Sequence, residues 1–252
     1  MTADGWAKTV RQQLRLGRVL PLGGPHDGAW ITESAAEAAL RRATASMRGV
    51  TLGPLRISLA APDAHGSPES AVPPPPSALP PGPLRITADF AASAAPTAEP
   101  FPATAARLRA ALATTAGERL GLRVTEVDLR VTDLLDDGKE PAPAAPEPTT
   151  AEPSPPSGDD EESRAAAAAL SVPGVTRLTA AFGGRGRALH IDAGPALPRR
   201  HVRVELAVTE ERRTLDVARE VRRAVSDALP DHPSAAVLIT AVGSGPVPAG
   251  DG

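Results

Sequence analysis

Residues 104–131 read TAARLRAALATTAGERLGLRVTEVDLRV, and residues 214–241 read TLDVAREVRRAVSDALPDHPSAAVLITA. Each stretch opens on a threonine able to cap a helix, continues with apolar residues at helical spacing and closes on an apolar strand. In the first, Ala105, Leu108, Leu112 and Ala116 share one face, Gly121 follows the last turn, and Val127, Leu129 and Val131 alternate with charged residues. In the second, Val217, Val221, Val225 and Leu229 form the stripe, and Val237, Leu238 and Ile239 form the strand. The shared pattern at an offset of 110 residues, from 104 to 214, reads as an internal duplication.

Working outward, Thr32 can cap a helix carrying Ala36, Leu40, Ala43 and Met47, with Gly49 as its stop. Leu55, Ile57 and Leu59 alternate as one strand, and Leu84, Ile86, Ala88 and Phe90 as another. In the second half a helix runs from an acidic start at residues 159–162 to Leu170. Strands follow at Leu178 to Phe182, at Leu189 to Ile191 and over Val202, Val204, Leu206 and Val208. The fold class expected is α+β: two small modules, each a short, mainly antiparallel sheet with two helices in the order α-β-β-α-β.

The intervening segments divide the chain further. Residues 136–158 hold seven prolines from Pro141 to Pro156 with little apolar besides alanine, a composition that cannot offset the entropy of ordering. The expected domains are an N-terminal amphipathic segment (1–29), a first module (30–135), a disordered acidic linker (136–158) holding the modules apart, a second module (159–243) and a flexible tail (244–252). A proline-rich insertion at 61–83, with Pro73 to Pro76 in a row, is expected to hang outside the first module.

Composition narrows the function. Aromatics are 2% of the chain, which disfavours base-stacking nucleic-acid binding and aromatic-lined pockets. Without cysteine there are no disulfides, thiolate nucleophiles or Cys-bound zinc. The opening MTADGWAKTV has no apolar run suited to a signal peptide or span, so cytoplasm is the expectation. Residues 133–162 carry ten acidic side chains against one basic, Lys139, while 1–132 and 172–242 are each net +3 (14 against 11, and 11 against 8). Lys8 and Lys139 are the only lysines, a bias of GC-rich coding rather than of phosphate binding.

Candidate functional residues are few. Trp6, Val10 and Leu14 recur every four residues between Lys8, Arg11 and Arg15, forming a short helix that docks on the first domain or meets a membrane surface or partner. Arg199, Arg200, Arg212 and Arg213 form the densest basic group, interrupted by Glu205, Glu210 and Glu211. His190 and Asp192 lie two apart on a strand with His201 on its neighbour, a conceivable metal set that a solvent-facing polar row explains equally well. Gly183-Gly184-Arg185-Gly186 reads as a hairpin turn, because a phosphate loop leads into a helix. Gly243-Ser244-Gly245 lacks the setting of a nucleophile elbow. No catalytic, metal or cofactor site is expected.

The segment Leu120-Gly121-Leu122-Arg123-Val124-Thr125-Glu126-Val127-Asp128-Leu129-Arg130-Val131-Thr132-Asp133 resembles the closing motif of the alkaline shock protein (Gls-type general stress) family, an amphipathic helix ending in a Gly-Leu turn before a Val-rich strand. Val202 to Val208 followed by Leu215 to Val221 resembles the same family's strand and helix. The second copy departs from it in carrying Pro230-Asp231-His232-Pro233 where the first has Gly-Leu. The resemblance implies a small cytoplasmic α+β protein concerned with cell-envelope stress, with no catalytic residues, partnered by a small membrane anchor protein or by itself. Weak nucleic-acid or membrane-surface binding through basic faces is the alternative.

Overall fold

A computed structural model describes residues 17–62, 69–95, 98–135, 160–181, 187–192 and 200–243. The first elements are two short strands, β1 (Val19–Leu22) and β2 (Ala29–Thr32), paired antiparallel with Pro21 opposite Trp30. Thr32 then caps α1 (Glu33–Thr44), its hydroxyl accepting the Ala35 N–H at 3.3 Å, with Glu33 in the first turn and Arg41 and Arg42 in the last. Ala35, Ala36, Ala39 and Leu40 are its buried face.

Next come β3 (Val50–Leu59), β4 (Leu84–Ser93), α2 (Phe101–Thr114) and β5 (Val124–Leu135). Helix α2 begins three residues before Thr104, with Pro100 as its N-cap, since the fixed φ of proline suits a first turn. It runs into a π-helical turn (Thr115–Leu120) and stops at Gly121, whose φ of 92° is costly for any residue with a Cβ. The second half supplies α3 (Asp160–Leu170), β6 (Val175–Leu178), β7 (Leu189–Asp192), β8 (His201–Thr209), α4 (Thr214–Ala228) and β9 (Ser234–Gly243).

The strands form two sheets. One has the order β3-β4-β5; the other has β1-β2-β9-β8-β6, with β7 also on β8. The expected mainly antiparallel pairing is corrected to a mixed one: β4 pairs β5 in parallel and β8 pairs β9 in parallel. The cause is the helix between each pair, which carries the chain back along the sheet so that both strands start from the same end. The outer neighbours are antiparallel: β3 on β4, and β6 and β7 end to end on β8.

Two further expectations give way. Residues 17–29 are not a separate segment, and Trp30-Ile31 does not open the first module. The β1–β2 hairpin joins the sheet of the C-terminal half, with Ala29, Trp30 and Ile31 opposite Val237, Leu238 and Ile239. Nor are the halves held apart. One hydrophobic core contains Ile57, Phe90 and Leu108 together with Val204, Val221 and Ile239, because α1 packs on both sheets and neither sheet has enough helix to cover its apolar face alone. Gly121 sits at this junction: its carbonyl accepts the Gly23 N–H at 2.9 Å, and a Cβ there would lie 2.5 Å from Leu215 Cβ. The expected linker, the tail and the turn at 183–186 lie outside the described residues.

The proline-rich insertion also differs from expectation. Val72 is 4% exposed and packs with Val19, Trp30, Ala236 and Leu238 on the far face of the larger sheet. Backbone donors of the insertion reach the rest of the fold: Ala71 N–H bonds Pro25 O at 3.0 Å and Leu79 N–H bonds Val19 O at 2.8 Å. Trp30 points away from the main core, and this cover removes a large indole surface from water.

Candidate interaction edge

Strands β5 and β9 hold the same place in their halves. Each follows a crossover helix and pairs in parallel with the strand before that helix. Their free sides differ. Strand β9 is flanked by β2, and Ala235 to Thr240 are buried without interruption. Strand β5 ends its sheet, and none of its residues is fully buried.

The apolar row of β5 begins well. Val124, Val127 and Leu129 pack against the core and stand opposite buried Leu84, Ile86 and Ala88. Val131 and Leu134 continue the row opposite Phe90 and Ala92, yet are 40% and 52% exposed while those partners are at 1%. Phe101 on α2 is spaced seven and eleven residues from buried Leu108 and Leu112, and it too is 40% exposed. A helix that crosses between parallel strands runs antiparallel to them, so Phe101 lies toward the β5 end that carries Val131 and Leu134.

The opposite face of β5 is charged and paired. Arg85 on β4 bonds Glu126 and approaches Asp128 at 3.3 Å; Arg130 grips Asp89 in a fork at 3.0 and 3.1 Å. The hydrogen bond from each guanidinium to its carboxylate raises the pKa of Arg85 and of Arg130 above the usual arginine value. A cleft of about 490 Å³ continues from this face between β3 and α1, lined by Glu33, Glu37, Arg56, Asp89 and Arg130 among others. Its carboxylates are engaged: Glu33 with Arg18 and the Ile57 N–H, Glu37 with Arg41, Asp89 with Arg130.

The residues singled out from sequence fall elsewhere. Trp6, Val10, Leu14 and Arg199 lie outside the described residues. Arg200 pairs with Glu161 of α3. Arg212 bonds Glu220 at 2.7 Å and Pro173 O at 2.6 Å, and Arg213 bonds Gly117 O at 3.2 Å. Arg200 precedes β8 and Arg212 and Arg213 follow it, so the strand, about 30 Å long at 3.3 Å per residue, separates them. They fasten elements and form no common patch. Asp192 pairs in register with His201, and His190 with Arg203, while His201 Nδ1 lies 2.9 Å from Ser234 Oγ. Among the described residues no three His, Cys, Asp or Glu side chains form a metal set.

Sequence reading missed Glu205. It is fully buried on β8, its Oε2 accepting the Ala181 N–H at 2.6 Å and its Oε1 lying 4.0 Å from Arg203 Nε. Alternation along β8 predicted a solvent face there, and no local signal shows that this face is covered too. Family models, curated proteins and solved structures yielded no match to the chain.

Proposed function

We propose that this is a non-enzymatic interaction or scaffold protein, as the resemblance to alkaline shock proteins implies, and that it presents β5 to a protein partner. The observation that carries this reading is that no strand among the described residues pairs the outer side of β5, where the equivalent β9 already holds β2. An open strand edge with exposed apolar residues is a template for another strand. A diverged tandem duplication accounts for the equivalence, and the shared order of an antiparallel neighbour, a central strand, a helix and a parallel strand supports it. Arg200, Arg212 and Arg213 are used within the fold, which weighs against the basic-surface alternative. No described helix is long and apolar enough to cross a membrane, and the proposed setting is cytoplasmic, with an anchor protein among the candidate partners.

In-cell cross-linking of the full chain, compared with a Val131→Lys/Leu134→Lys variant, tests the reading. Partner cross-links mapping to β5 should disappear in the variant without a change in melting temperature. Partners captured equally by both proteins would sink it.

A further inference from the structure

We infer that the strand seated on β5 is β5 of a second copy of this chain, antiparallel and related by a two-fold axis through Leu129; this rests on the reading of β5 as an interaction edge. The choice comes from the charges on the strand. Continuing one sheet across a two-fold axis keeps each side chain on its own face, so a residue must sit at the centre. Centred on Val127, Glu126 would face Asp128 of the other copy. Centred on Asp128 or Arg130, that residue would face its own like charge.

Only the Leu129 centre, among these four, avoids a like-charge pair. It sets Asp128 against Arg130 of the second copy, and Arg130 against Asp128, so the same ion pair forms twice by symmetry. On the core-side face the same register sets Val127 against Val131 of the second copy, covering the 40% exposed Val131. A row of one sign would repel itself; across this axis Asp128 and Arg130 instead complement each other, while Glu126 faces the uncharged Thr132. Asp128 and Arg130 are 59% and 74% exposed, so both can reach a neighbouring strand while touching Arg85 and Asp89 of their own sheet. The β2–β9 pair shows that this fold accepts a strand in that position.

Light scattering after size exclusion should give a species of twice 25.7 kDa for the full chain. Asp128→Arg alone and Arg130→Asp alone each create two like-charge pairs and should weaken the dimer by about tenfold or more. An equimolar mixture of the two variants restores both pairs and should recover the dimer as a heterodimer; the double variant Asp128→Arg/Arg130→Asp should recover it by itself. Melting curves confirm that each variant folds. A wild-type monomer up to high concentration, or a dimer indifferent to both reversals, overturns the inference. A monomer that still binds another protein through β5, with that binding lost in Val131→Lys/Leu134→Lys, overturns self-pairing and leaves the interaction reading intact.

Discussion

Strand β9 is sealed by β2 and buried from Ala235 to Thr240, whereas β5 has no fully buried residue and no strand on its outer side among the described residues. The two strands end equivalent crossover units, so the difference lies in what the rest of the chain lays against them. The β1–β2 hairpin, the proline-rich insertion and Trp30 all serve the β9 side. Among the described residues, one of two like edges is closed from within the chain and the other is not.

Trp30 should show the largest effect. It is 2% exposed between Val72 and Leu238, and Trp30→Ala should cost about 3–5 kcal/mol in urea unfolding. A loss below about 1 kcal/mol would mean that the hairpin does not seal β9.

Gly121→Ala comes next. Its backbone is left-handed, and the new methyl would collide with Leu215, so about 2–4 kcal/mol should be lost through strain and overpacking. A neutral substitution would show that the halves do not meet at this turn.

The hairpin is also tied down by Asp27, and that tie is pH-dependent. Burial opposes ionisation of its carboxyl, but the hydrogen bonds from Arg219 and the Gly24 N–H, with the charges of Arg219 and Arg222, outweigh it and hold the pKa below the ordinary aspartate value. A depressed folded-state pKa gives stability that is complete above the unfolded pKa of about 3.9 and is lost as pH falls through the lower folded value. The advantage of the wild type over Asp27→Asn, about 1 kcal/mol, should therefore hold from pH 7 to about 4 and shrink below that in urea titrations. An advantage that shrinks between pH 7 and 5 would contradict the assignment. The smallest effect belongs to β5: Val131→Thr should change stability by less than about 0.5 kcal/mol, as its exposure implies.

Much of the architecture was legible locally. Ala36 and Leu40, Leu108 and Leu112, and Val217, Val221 and Val225 are buried at the spacings that defined their helices, and Leu84 to Phe90 alternate as read. Strand neighbours were not legible, since pairing is a non-local choice that alternation leaves open. The hairpin was obscured by Pro21, which an edge strand such as β1 tolerates. The insertion was misjudged because its prolines implied solvent, while Val72, with Ala78 beside it, joins the cluster around Trp30. Neighbouring arginines in sequence suggested a patch, but Arg212 and Arg213 turn to different partners, Glu220 and Gly117. The open edge of β5 became a candidate only beside β9, a comparison that requires both sheets.

Amide hydrogen exchange at concentrations below and above the dimer's dissociation constant is the most direct test. Peptides covering 234–243 should be equally protected in both, because β2 and β8 flank β9 within the chain. Peptides covering 124–135 should exchange fast when dilute and gain protection when concentrated. Equal protection of β5 at both concentrations would contradict self-pairing, and a β9 that exchanges as fast as β5 would contradict the distinction between a sealed and an open edge.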